Sequence, residues 1–119
     1  MRRSRWSMAM AAGLCVIGSL LWSDAFGWDG VASGKIAEIH TLTEQGNYEL
    51  RVVIVGAAQV CNNTNPALYG WAYMNSSDVN YKTVVANLML AYTMGKTVTV
   101  YTMNDGNTGC HLHYVVLSG

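Results

Sequence analysis

Charge is scarce in this sequence: Asp, Glu, Lys and Arg make up 12% of its 119 residues. Three of the seven basic side chains, Arg2, Arg3 and Arg5, stand ahead of an apolar run from Trp6 to Trp22. Beyond residue 27 there remain Lys35, Arg51, Lys82 and Lys96 against Asp29, Glu38, Glu44, Glu49, Asp78 and Asp105, a net charge of −2. A surface that tracks phosphates needs clustered cations, so nucleic acid is not an expected partner. The sequence also shows no internal repeat, no linker and no second apolar run of spanning length. No motif fixes a nucleophile, a base and a group to orient the base, and the acids are scattered over strand faces and turns. The expectation is a non-enzymatic domain without a cofactor.

Three arginines, an apolar run and a small-x-small site at Ala25-Phe26-Gly27 have the form of a secretory signal peptide over residues 1–27. The run holds Ser7, Gly13, Gly18 and Ser19 and barely reaches spanning length, which disfavours the competing reading as a membrane anchor. Leu14 precedes Cys15 where lipid attachment needs a small residue, so Cys15 is read as removed with the leader. The remaining segment, 28–119, is one domain with no membrane span, destined for the periplasm or the exterior. Its core is modest, and domains of this size commonly need a covalent or oligomeric supplement. Cys61 and Cys110 supply one: in an oxidising compartment they should pair and close a loop of about 50 residues, worth roughly 4 kcal/mol.

Alternation of Ile36 and Ile39 with Lys35 and Glu38 predicts a strand over Gly34–Leu42, imperfect enough to carry a bulge. Gly46-Asn47 signals a turn into a second strand, Tyr48–Val55. A polar loop, Cys61 to Pro66, precedes a third strand, Ala67–Met74, with Tyr69, Trp71 and Tyr73 on alternate positions. The period then changes: Tyr81, Val84, Val85, Leu88 and Tyr92 follow the spacing of an amphipathic helix, capped by Ser77 or Asp78 and stopped at Gly95. Lys96–Met103 and Leu112–Leu117 are the last strands, separated by a turn at Asn104-Asp105-Gly106-Asn107. The fold class is mainly β with one helix, and the order β-β-β-α-β-β is that of a five-stranded OB-fold barrel. An open α+β sheet uses the same elements and is the less favoured alternative.

Two groups of side chains could carry function. Tyr69, Trp71 and Tyr73 are either a stacking platform for sugar rings or bases, or filling for the core or a subunit contact. Cys110-His111-Leu112-His113 puts two imidazoles on one strand face. With Cys110 committed to a disulfide only two local ligands remain, against the four of structural zinc, and no metal is expected.

Asp29-Gly30-Val31-Ala32-Ser33-Gly34 followed by His40-Thr41, together with Ala91-Tyr92-Thr93-Met94-Gly95-Lys96 leading into Val98-Thr99-Val100-Tyr101, resembles the B subunits of the subtilase cytotoxin family. Those subunits share a D-G-x-x-S-G opening and an H-T pair at equal spacing. The resemblance covers about half of the segment beyond the leader. It implies an OB barrel that forms a ring pentamer, binds sialylated or other cell-surface glycans and accompanies a separate catalytic A subunit. On that resemblance Ser33 contributes to the glycan pocket, with a strand-start turn hydroxyl as its alternative role. Trp71 and Tyr101 are expected to offer apolar faces to the sugar. Thr102 stands where the toxin subunit has a glycan-contacting tyrosine. The alternative function is a stand-alone protein-interaction domain of the envelope or exterior, with no glycan bound.

Overall fold

The computed structural model describes residues 27–43 and 46–119. The proposed leader therefore lies outside the described residues, apart from Gly27. Five strands and one long helix follow in the order β1 (Gly30–Thr41), β2 (Leu50–Ile54), β3 (Ala72–Met74), α1 (Tyr81–Met94), β4 (Thr97–Met103) and β5 (Cys110–Ser118), with a 3-10 turn at Asp105–Asn107. The five strands close into one sheet, each hydrogen-bonded to two neighbours in the order β1-β2-β3-β5-β4 and back to β1. No helix among the described residues is long and apolar enough to cross a membrane.

Closure depends on the length of β1, because its first half pairs with β4, from Gly30 opposite Thr102 to Lys35 opposite Thr97. Its second half pairs with β2, from Ile36 opposite Ile54 to Thr41 opposite Leu50. The expected irregularity is present as a register shift between Ile36 and Glu38. A bulge of this kind bends and twists the strand, letting one strand serve two partners. Two glycines permit close approach at its first half. A Cβ on Gly30 would stand 1.9 Å from the Val60 carbonyl oxygen, and one on Gly34 would stand 2.8 Å from that of Val55. The D-G-x-x-S-G stretch thus owes both glycines to backbone packing. β3 and β5 run parallel, Ala72 opposite Cys110, and complete the ring of strands.

Inside the sheet lie Val52, Ile54, Ala72, Val98, Val100 and Leu112, in one buried cluster with Leu88 and Ala91 of α1. Ala91 takes the buried place that the helical spacing assigned to Tyr92, whose side chain is exposed. It lies one turn beyond Leu88, and both are fully buried. The helix stops as expected at Gly95, in a left-handed conformation at φ 64°. The Lys96 N–H donates to the Ala91 carbonyl at 2.9 Å and Gly95 N–H to that of Tyr92, which is a Schellman ending. The start differs, because Asn80 occupies the N-cap position with no side-chain capping bond. Asp78 is engaged elsewhere, as described below.

The third strand is much shorter than the sequence pattern predicts. Asn65 captures the following chain in a turn: its side-chain oxygen accepts from Ala67 N–H at 3.0 Å, and its carbonyl accepts from Leu68 and Tyr69. Trp71 consequently lies outside β3, Tyr69 packs towards the core, and Tyr73 faces outwards beneath other rings. Cys110 opens β5 rather than lying in the preceding loop, and it forms the expected disulfide with Cys61 across a sequence separation of 49.

Candidate functional site

Strand parity places Ala32, Val98 and Val100 inside and Val31, Ser33, Thr99 and Tyr101 outside. Register then sets them in rows: Val31 beside Tyr101 beside Tyr114, and Ser33 beside Thr99 beside Val116. A second register shift, between Tyr101 and Thr102, lets both His113 and Tyr114 stand exposed on β5. Thr102 has the inward parity of Val100 and is fully buried, its hydroxyl donating to the Val60 carbonyl at 2.7 Å. The outward aromatic at this point of the sheet is Tyr101.

These placements join the aromatic residues of five separate chain segments into one band. Trp71 meets Tyr48 edge to face at 5.2 Å, and Tyr48 meets Tyr73 likewise at 4.8 Å. Tyr73 stacks flat on His111 at 4.8 Å with 9° between the planes, and His111 meets His113 at 4.7 Å. His113 abuts Trp28 at 6.3 Å, and Trp28 contacts Tyr101 at 5.5 Å and stacks on Tyr114 at 6.2 Å. Ring pairs of this kind each add about 0.5–1.5 kcal/mol beyond area burial, so the contacts along the band reinforce one another's packing.

The two ends of the band differ. At one end Arg51 lies 4.7 Å over the Trp71 ring, whose indole N–H donates to Ala67 at 3.1 Å, and Tyr73 is buried. At the other end Tyr114 is 52% exposed beside Val31 at 55%. Among the three residues expected to meet a ligand, Tyr101 thus lies at the open end and Ser33 in the adjoining row, while Trp71 is at the covered end. The Ser33 hydroxyl shares a 2.7 Å hydrogen bond with that of Thr99, and both strands' hydroxyls border the open rings.

Beneath His113 is a polar knot. His111 donates from Nε2 to Asp78 at 2.7 Å and from Nδ1 to Asp105 at 2.6 Å, while His113 Nε2 lies 3.9 Å from the same Asp105 oxygen. Burial alone would lower the His111 pKa, but the hydrogen bonds and charges of Asp78 and Asp105 outweigh it and hold the pKa above the ordinary histidine value. Burial raises the Tyr73 phenol above its usual value, assisted by the charges of Asp105 and Asp78. Asp78 is itself fixed by the Asn75 N–H at 2.9 Å. These bonds explain why Asp78 does not cap α1. Asp78, His111 and His113 also border a cleft of about 530 Å3 between α1 and β5. His40 lies outside this knot and pairs with Glu38 at 2.7 Å.

Sequence reasoning missed Trp28, Tyr48, Tyr114 and Asp105 as site residues. The sequence signalled the alternation of Trp71 with Tyr73, Tyr101 and the two-residue spacing of His111 and His113, but not their assembly, because the members come from distant segments. The chain matches no protein-family model, no curated protein and no solved structure.

Proposed function

We propose that this chain is an exported, non-enzymatic OB-type barrel domain that binds cell-surface glycans through the open end of its aromatic band. One observation carries the reading: Trp28, Tyr101 and Tyr114 form a pre-packed apolar surface with the Ser33 and Thr99 hydroxyls in the next row of the sheet. Sugar rings present an apolar C–H face and a rim of hydroxyls, and this surface offers a partner to each. The strand order, with the helix between β3 and β4, supports the OB assignment. Two signals support export: the leader-like opening and a disulfide of the kind that persists in oxidising compartments.

An open platform of this size binds a single sugar weakly, so useful affinity comes from several copies presented together. Helix α1 supports self-association, since Lys82 is its sole charge and Leu90, Tyr92 and Met94 are exposed on it. The same helix favours the second reading, a protein-contact domain without glycan binding. A toxin-like pentamer with a separate A subunit would satisfy both features.

The test is to export the full chain, measure its mass in solution and screen it on a glycan array that includes sialylated ligands, beside Ser33→Ala and Tyr114→Ala variants. An oligomer whose glycan signal falls at least tenfold in both variants supports the proposal. A folded chain that binds no glycan in any assembly state overturns it and leaves the protein-contact reading.

A further inference from the structure

We infer that His111, His113 and Asp105 form a binding site for a divalent transition-metal ion, zinc in the first instance, with Asp78 orienting His111 from behind. The inference is independent of the glycan reading. One donor atom from each of the three residues lies within 4.8 Å of the others. Tetrahedral zinc with bonds of about 2.0–2.2 Å holds its donors roughly 3.3 Å apart. The present separations are 2.6 Å from His111 Nδ1 to Asp105 Oδ2 and 3.9 Å from His113 Nε2 to the same oxygen, with the two imidazole donors within 4.8 Å of each other. The first must open by under 1 Å, and the exposed His113 side chain must swing in to close the other two.

Several features make this more than a chance meeting of polar groups. The two imidazoles share a strand face because Leu112 between them is buried in the core. The His111 ring cannot swing, since Tyr73 stacks against it and Asp78 accepts its Nε2 proton. A metal-ligating histidine characteristically donates its other N–H to a carboxylate, which fixes the tautomer and strengthens the ligand. Asp78, held in turn by the Asn75 N–H, stands in that relation. An ionised carboxylate only accepts, so both hydrogen bonds are made when His111 carries two protons. Binding replaces the proton at Nδ1: the metal–Nδ1 bond forms, that proton leaves to solvent, and Nε2–H continues to donate to Asp78. Two nitrogens and one oxygen form a borderline-hard donor set suited to zinc, copper or nickel. Three protein ligands leave one position for water or an external ligand.

The test is titration of the full exported chain, free of any histidine tag and stripped by EDTA then desalted, with zinc chloride by calorimetry and thermal melting. We expect one zinc per chain at micromolar or tighter affinity and a raised melting temperature. His113→Ala and Asp105→Ala, which alter partly exposed side chains, should weaken binding at least tenfold while keeping the far-ultraviolet circular dichroism. Asp78→Asn, which retains an oxygen acceptor but removes the charge, should weaken it about 10- to 100-fold. His40→Ala should leave it unchanged. Absence of zinc uptake would overturn the inference, as would binding that survives both His113→Ala and Asp105→Ala or depends on His40.

Discussion

Reducing the Cys61–Cys110 bond should cost this domain a large part of its stability. The bridge joins residues separated by 49 positions, and the chain-entropy relation for a loop of about 50 residues gives about 4 kcal/mol at 25 °C. Small domains are commonly stable by only about 5–15 kcal/mol in total. Both cysteines are buried, so the reduced protein keeps its side chains and packing volume and loses chiefly the cross-link. Wild-type protein with and without dithiothreitol therefore isolates the effect better than substitution does. Urea unfolding at pH 7, followed by tryptophan fluorescence, should show the reduced form about 4 kcal/mol less stable. At about 4–8 °C per kcal/mol for a domain of this size, its melting temperature should fall by about 16–32 °C. A loss below about 1 kcal/mol would refute the reasoning, for it would mean that the unfolded chain is already restricted without the bridge.

Gly30→Ala should destabilise by more than about 3 kcal/mol, because its Cβ would stand 1.9 Å from the Val60 oxygen with Cys61 Cα at 2.5 Å; urea melts check this, and a near-neutral result would refute the packing at the start of β1. Thr102→Val keeps the shape but leaves the Val60 carbonyl without its 2.7 Å donor, so a loss of about 1–3 kcal/mol is expected by the same assay. The raised His111 pKa means that the folded state binds the proton more tightly than the unfolded chain. Its contribution is complete below the unfolded value near 6.5 and is lost as pH rises through the folded value, so in EDTA the wild type should be more stable at pH 6 than at pH 8 relative to His111→Gln.

The element order was legible because each element announces itself locally. Alternating β-branched residues, the 3.6-residue spacing from Tyr81 to Leu88 and the stop at Gly95 need only a few neighbours to interpret. The disulfide was legible from number and compartment. The third strand is shorter than its pattern predicts because alternation of Tyr69, Trp71 and Tyr73 is a weak signal beside the turn that Asn65 closes with its own side chain and carbonyl. The site was legible only in fragments. Trp71 and Tyr101 could be named, but the rings that connect them belong to Trp28, Tyr48, Tyr73, His111, His113 and Tyr114, which only sheet closure assembles. Asp105 was read as a turn residue, which it is; its carboxylate reaches His111 because the β4–β5 turn folds back over the start of β5.

The glycan platform and the metal site are separate proposals, yet they share a boundary that makes them jointly testable. His113 is a metal ligand on one side and meets the Trp28 ring on the other, at 6.3 Å, while Trp28 stacks on Tyr114. Zinc that fixes the His113 ring also fixes the edge against which Trp28 packs, so the platform needs less ordering when sugar binds. Zinc should therefore raise glycan affinity, and linkage requires the glycan to raise zinc affinity by the same factor. Measuring both affinities, each with and without the other ligand saturating, closes the cycle. A factor of about 5 or more in both directions supports coupling through the His113–Trp28 contact. Equal affinities with and without zinc would show that the imidazole and the indole adjoin without communicating, while leaving each site to stand on its own measurement.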